Sequence, residues 1–254
     1  MSKSMPDELP ALDLGRCALF LDYDGTLVPI APTPDAAHAD DALRHLLERL
    51  ARRLDGAIAI VSGRPVADID GFLAPLRFSV AGLHGLQLRP RSGDLLEHVP
   101  PDSVLAAARL RLGAFVELNP GTLLEDKRLS VALHFRQAPD AAAAAEAVAS
   151  RLADESAGLL RLQRGKMVVE LLPAGRDKGR AIDDLLQLPD FAGRRPVFVG
   201  DDVTDEAGFR TVNHLDGTSI RVGHAEGGTD AQHYLADIGA LQRWLERSLT
   251  GEQS

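Results

Sequence analysis

The sequence predicts an α/β protein: a doubly wound, Rossmann-like parallel sheet with a smaller α+β unit inserted into it. Three short apolar runs carry the first part of that expectation. They are Ala18-Leu19-Phe20-Leu21, Ala57-Ile58-Ala59-Ile60-Val61 and Pro196-Val197-Phe198-Val199. Each is bounded by polar residues or Gly and is too short for a helix, which fits strands buried on both faces of a parallel sheet. Helical spacing before the second and third runs carries the next part. The third observation is a change of pattern in the middle of the chain, where strand-like segments crowd together.

Taken in order, the first run is followed by Asp40 to Leu54, in which Leu43, Leu46, Leu47, Leu50 and Leu54 mark one helical face. The second run closes this as a βαβ unit. A similar unit leads into the third run, where Ala181, Ile182, Leu185 and Leu186 give Lys178 to Leu188 an apolar face. The middle reads as strands at Phe115 to Leu118, Ser130 to Phe135, Leu159 to Gln163 and Val168 to Leu172. Helices fit Pro101 to Leu112 and Pro139 to Asp154, the Ala-rich Asp140 to Ala149 being a good helix former. The expected division is a core of residues 1–86 and 174–254 with an insert of 87–173, and with hinges at Pro90 and Pro173-Ala174-Gly175.

Bulk properties narrow the function classes. A net charge of -9 supplies no broad basic surface, so nucleic acid is not an expected partner. Any anionic substrate needs local positive charge from a metal or a few placed Lys and Arg. Cys17 is the single cysteine, which rules out an intrachain disulfide and fits a reducing, cytoplasmic setting. Met1 to Pro10 has no apolar core and does not read as a secretory signal. No apolar run approaches the ~20 residues that span a bilayer, so no membrane partner is expected. A monomer is favoured.

Four segments carry chemistry. Asp22-Tyr23-Asp24-Gly25-Thr26 directly follows the first strand, where ligands bind in a doubly wound sheet. Gly25 allows a sharp turn, so that both carboxylates converge on one pocket. One carboxylate can attack phosphorus and the other, when protonated, can donate to the leaving oxygen; a strand-to-loop turn that is simply rich in Asp and Gly is the alternative. Ser62-Gly63-Arg64 follows the second strand, and its hydroxyl and N–H groups fit either a phosphate oxygen or a helix N-cap. Lys178 opens a predicted helix, where the macrodipole disfavours a cation unless an anion is nearby; a solvated lysine is the plain alternative. Gly200-Asp201-Asp202 with Asp205-Glu206 follows the third strand. So many carboxylates repel one another without a cation, and hard oxygen ligands suit Mg²⁺. An acidic helix start is the alternative.

That ordered set resembles the four motifs of the haloacid dehalogenase superfamily of phosphohydrolases. The resemblance implies that Asp22 is nucleophile and Mg²⁺ ligand, and that Asp24 is general acid/base and ligates through its carbonyl. Asp201 would bind the metal, with Asp202 or Asp205 in support. Ser62 and the catalytic Lys178 would hold the phosphoryl group, with Thr26, Gly63 and Arg64 of the same motifs lining it. A narrower resemblance, to the trehalose-6-phosphate phosphatases, rests on Ser62-Gly63-Arg64, Gly82-Leu83-His84-Gly85, Leu124-Glu125-Asp126-Lys127, Leu133-His134-Phe135-Arg136 and Gly165-Lys166 with Glu170. It departs from a common family pattern at Arg128, where Gly follows the Lys.

In that family the insert is a lid that reads the sugar. Glu125, Lys127, Lys166 and Glu170 offer hydrogen bonds to hydroxyls, although Lys166 and Glu170 also fit a salt bridge to each other on a solvated face. His134 and Arg136, two apart on a predicted strand, share a face that is either lid interior or solvent. His84 fits a core or hinge position as well as a substrate contact. The resemblance implies Mg²⁺-dependent hydrolysis of trehalose 6-phosphate through an aspartyl-phosphate. Rivals are a phosphatase for another sugar phosphate such as sucrose 6-phosphate, a non-catalytic sugar-phosphate sensor, and a phosphotransferase.

Overall fold

The computed structural model describes residues 9–30, 37–99, 102–224 and 227–251. The reading of the N-terminal segment therefore lies, through residue 8, outside the described residues. Two units emerge: residues up to Leu96 with those from Asp177 onward, and Glu97 to Arg176.

In chain order the first part holds β1 (Cys17–Leu21), α1 (Asp41–Arg53), β2 (Ile58–Val61), α2 (Val66–Leu73), β3 (Ser79–Gly82), β4 (Gln87–Arg89) and β5 (Leu96–Glu97). The inserted unit holds α3 (Asp102–Leu118), β6 (Leu123–Asp126), β7 (Val131–His134), α4 (Ala142–Glu155), β8 (Leu160–Gly165) and β9 (Val168–Pro173). The last part holds α5 (Lys178–Leu186), β10 (Arg195–Gly200), α6 (Glu206–His214), β11 (Thr218–Val222), β12 (His233–Leu235) and α7 (Ile238–Thr250).

The large sheet runs β12-β11-β10-β1-β2-β3-β4-β5. Its strands from β12 through β3 are parallel, and β4 turns back antiparallel on β3. The three apolar runs are its central strands, and their residues from Ala18 to Leu21 and from Ile58 to Val61 are buried. Helix α1 forms where the Leu spacing requires it. The Asp40 carboxylate accepts from the Leu43 N–H at 2.8 Å as an N-cap, Arg52 and Arg53 meet the C-terminal dipole, and Leu43, Leu46, Leu47 and Leu50 are buried. It packs against α7, while α5 packs against α6.

The inserted unit has a four-stranded antiparallel sheet, β6-β7-β9-β8. Val131, Leu133, Val169, Leu171 and Leu160 form its buried core with Leu105, Ala108 and Leu112 of α3 and Ala145, Ala149 and Leu152 of α4.

Three expectations are corrected. Phe115 to Leu118 is the end of α3, not a strand. The helical spacing of Leu105, Ala108 and Leu112 continues into the partly buried Phe115 and Val116, and this packing overrides the β-propensity of Phe and Val. Strand β7 ends at His134, so Arg136 sits in the following turn and does not share a strand face with it. Gln87 to Arg89 belongs to the core because it pairs with β3; the insert starts at Glu97 rather than 87 and ends at Arg176 rather than 173. No helix among the described residues is long and apolar enough to cross a membrane.

Leu47 is fully buried between α1 and the sheet. Leu47→Ala is expected to lower unfolding stability by ~2–5 kcal/mol, measured by urea titration; a loss below ~1 kcal/mol would contradict this packing.

Candidate active site

The site begins at the switch point of the large sheet. Strands β1 and β10 are parallel neighbours, with Leu21 beside Val199. From β1 the chain moves outward to β2, and from β10 it moves outward the other way to β11, which opens a crevice at their carboxyl ends. The Asp22 N–H donates to the Val199 carbonyl at 2.9 Å, which pins the first aspartate at that opening.

Gly25 then makes the turn with φ +84°, and a Cβ on it would lie 2.1 Å from Asp201 Oδ2. Only glycine meets both conditions. The next residue, Thr26, is buried and its hydroxyl donates to Asp201 Oδ1 at 3.0 Å. The turn after β1 is thus fitted against the turn after β10.

Lys178 holds these turns together. Its Nζ donates to Asp22 Oδ1 at 2.8 Å and to Asp205 Oδ1 at 2.6 Å. The three side chains are at most 6 % exposed. Burial pushes the Asp22 carboxyl well above the usual carboxylate range; the Lys178 ammonium pulls it down, and Asp205 and Asp201 push it up again. The Asp201 carboxyl is raised to about 6, by burial first and by Asp205 second. Burial lowers the Lys178 ammonium, but Asp205 and Asp22 outweigh it and hold lysine above its ordinary range.

Carboxylate oxygens of Asp22, Asp201 and Asp205 lie within 4.8 Å of one another. This is a hard-oxygen cluster with an excess of negative charge, as a divalent cation requires. Asp205 is already heavily engaged: Oδ1 takes Lys178, and Oδ2 accepts from the N–H groups of Asp201 and Asp202 at 3.0 and 2.9 Å. Asp202 instead forms the reciprocal half of a capping box, its side chain accepting from the Asp205 backbone. Of the five expected metal residues, Asp22, Asp201 and Asp205 bring carboxylates together; the side chains of Asp202 and Asp24 do not join them.

Asp24 has a separate partner. Arg64 Nε and Nη2 donate to its two carboxylate oxygens at 2.5 and 2.7 Å, and the guanidinium lies 5.1 Å from the centre of the Phe72 ring. The two aspartates of this turn thus have different partners, Lys178 for Asp22 and Arg64 for Asp24.

Ser62 is not a helix cap, because α2 begins after Pro65. The Ser62 hydroxyl oxygen accepts from the Arg64 N–H at 3.1 Å and shapes the loop locally. The loop is also tied to the segment after β3: the N–H of His84 donates to Ser62 and that of Leu83 to Arg64, both at 3.0 Å. Leu83 and His84 take left-handed backbone angles, φ 48° and 54°. The buried His84 ring covers Gly63 so closely that a Cβ there would lie 2.6 Å from Nε2.

In the inserted unit, Lys127 Nζ lies 3.2 Å from Glu170 Oε2 and 4.0 Å from Glu125 Oε2. The Ser130 hydroxyl donates to Glu170 at 2.5 Å, and His134 Nε2 bonds Glu125 at 2.8 Å. Burial raises the Glu125 carboxyl, but the His134 hydrogen bond and Lys127 outweigh it and leave it below its usual range. Glu170 thus pairs with Lys127 rather than Lys166, which is exposed in the β8–β9 turn. Arg136 is exposed in its own turn. Arg128 adopts φ 68°, the conformation that Gly takes easily, with its N–H donating to Asp126 Oδ1 at 2.9 Å. The turn therefore forms despite the side chain. Arg161 and Gln163, on the same sheet face as Glu170, were not singled out from the sequence, although the alternation Leu160-Arg161-Leu162-Gln163 places them there.

A doubly wound core that sets Asp22 and Asp205 on one buried lysine, with Asp201 beside them, is the setting of a phosphatase site. The trehalose-phosphatase family model matches residues 20–237, and the chain belongs to that family. It is 40% identical to a trehalose-6-phosphate phosphatase of Escherichia coli (strain K12), over 97% of this chain and 91% of that one. It is 41% identical to a probable trehalose-phosphate phosphatase of Sinorhizobium fredii, over 93% of this chain and 89% of that one. A crystal structure of a trehalose-6-phosphate phosphatase related protein matches with a TM-score of 0.74 at 30% identity, covering 92% of this chain and 97% of that one.

Lys178→Met strands two buried carboxylates without their cation. Stability measured in metal-free buffer is expected to fall by ~3–5 kcal/mol; an unchanged urea midpoint would show that the bridge contributes nothing.

Proposed function

We propose that the protein hydrolyses trehalose 6-phosphate to trehalose and inorganic phosphate, with Mg²⁺ as cofactor and an aspartyl-phosphate as intermediate. The observation that carries the chemistry is the convergence of Asp22, Lys178 and Asp201 at the ends of β1 and β10. The names of its close relatives support the substrate.

In this reading an Asp22 carboxylate oxygen attacks phosphorus as the bond to the sugar oxygen breaks. Asp24 gives a proton to that oxygen, and trehalose leaves. Asp24 then takes a proton from water as the water oxygen attacks phosphorus, which releases phosphate and regenerates the Asp22 carboxylate. Arg64 orients the Asp24 carboxyl, and Lys178 and Ser62 hold phosphoryl oxygens. Asp22 and Asp201 would hold Mg²⁺, with Asp205 behind them and the Asp24 carbonyl completing the set. The ion supplies positive charge against the phosphoryl oxygens. The cluster of Glu125, Lys127, His134 and Glu170 supplies groups that read sugar hydroxyls, a means of discrimination that works because unmatched polar groups are costly to bury.

Two measurements test this. Initial rates on trehalose 6-phosphate, sucrose 6-phosphate and glucose 6-phosphate, with and without Mg²⁺, are expected to show the highest kcat/KM for trehalose 6-phosphate and dependence on the ion. A better ester removes the substrate assignment, and full activity after chelation removes the metal. Asp22→Asn is expected to cut kcat by at least ~10³-fold with the circular dichroism spectrum intact; retained turnover would falsify the role of Asp22 as nucleophile.

A further inference from the structure

The polar face of the inserted sheet extends past the residues that motif spacing picks out. One rung runs across all four strands. Glu125 on β6 pairs with Ala132 on β7, Ala132 with Glu170 on β9, and Glu170 with Gln163 on β8. Side chains of one rung stand on one face, and neighbours in it are close enough to interact. The rung measures about 14 Å across its four strands, longer than one hexose ring. Its second position is Ala132, which is fully buried between its neighbours. The alternate residues, Val131, Leu133, Val169 and Leu171, are buried in the core with α3 and α4, so this rung belongs to the face those helices do not cover.

The members of the rung are held in fixed orientations. Lys127 bridges the carboxylates of Glu125 and Glu170, and His134 and Ser130 each hold one of them. At the β8 end, Arg161 does the same for Gln163. It stands two residues earlier on the same strand face and donates from Nη1 to Gln163 Oε1 at 2.7 Å. Its own Nε donates to the Arg176 carbonyl at 3.2 Å, which anchors the guanidinium. A guanidinium only donates, so this bond fixes which end of the amide is oxygen and turns the NH₂ end away from Arg161. The rung then presents carboxylate acceptors at Glu125 and Glu170 and an oriented amide at Gln163. A sugar hydroxyl both donates and accepts, so a row of fixed donors and acceptors matches one pattern of hydroxyls and rejects others.

We infer that Gln163 is a further specificity-determining residue that hydrogen-bonds a hydroxyl of the sugar, and that Arg161 is its positioning residue. This rests on the sugar-phosphate reading above and extends it to β8.

The test uses the full chain with Mg²⁺. Initial rates are measured for wild type, Gln163→Met, Arg161→Met and the double variant on trehalose 6-phosphate, sucrose 6-phosphate and glucose 6-phosphate. Methionine keeps the length of Gln163 and removes its hydrogen bonds. Gln163→Met is expected to raise KM for trehalose 6-phosphate about tenfold with kcat within about twofold, and to lower selectivity over glucose 6-phosphate about tenfold. Arg161→Met shifts KM the same way, and the double variant is no worse than Gln163→Met, as expected of a residue acting through another. Gln163→Glu, which keeps the acceptor for Arg161 and removes the amide donors, gives the same rise in KM and covers the case in which Gln163→Met lowers Tm. A KM within twofold of wild type in both Gln163 variants overturns the inference, and independent, additive effects overturn the role of Arg161. A wild type that prefers another disaccharide phosphate overturns only the substrate assignment, and the variants are then judged on that ester. A wild type indifferent to the second ring overturns both.

Discussion

One buried cation organises this protein. Lys178 joins Asp22, 156 residues earlier in the chain, to Asp205, 27 residues later, at 2.8 and 2.6 Å. Two carboxylates and an ammonium taken out of water are costly unless each satisfies the others. That requirement dictates much of the local structure. Lys178 occupies the first turn of α5, where the helix dipole disfavours it, because two anions are there to receive it. The bridge also ties the N-terminal part of the core to the part after the insert. The β1–β10 pairing and the nucleophile candidate are therefore secured by the same contact.

The remaining acidic residues are sorted by their partners. Asp205 spends both oxygens on Lys178 and on the backbone of its own turn. Asp202 caps that turn. Asp201 is left facing Thr26 and the Gly25 turn, and it is the member of the group, with Asp22, best placed to hold a cation. Asp24, one residue beyond Tyr23, is drawn to Arg64. The two aspartates of the first motif thus acquire different surroundings within three residues, as the proposed roles of nucleophile and acid require.

The core was legible because its signals are local. Continuous apolar runs specify central parallel strands, and a sheet of that kind opens its site at strand ends, where Asp22, Ser62 and Asp201 stand. What the sequence left open depended on which partner each side chain finds across the fold. Asp202 and Asp205 look alike as letters, and only the capping geometry separates them. The extra strand at Gln87 to Arg89 was missed because three residues beside Pro90 carry too little pattern. The helical fate of Phe115 to Leu118 follows from packing started a turn or more earlier, which outweighs local propensity. Gln163 and Arg161 were visible as alternation on β8, but their significance appears only when register sets them in line with Glu170.

The two units meet different physical demands. In the core, the candidate catalytic groups are short side chains fixed by backbone bonds and close contacts. A methyl group added at Gly25 would strike Asp201, so there is little room for variation. In the insert, period-two alternation separates a buried packing face from a polar one. Val131, Leu133, Val169 and Leu171 hold the sheet to its helices, while the neighbouring positions carry Glu125, His134, Glu170 and Gln163. Because the two sets of side chains stand on opposite faces, a change on the polar face leaves the buried face intact. If the proposed roles hold, substrate preference can shift by substitutions along one rung without disturbing the carboxylates and the lysine of the core.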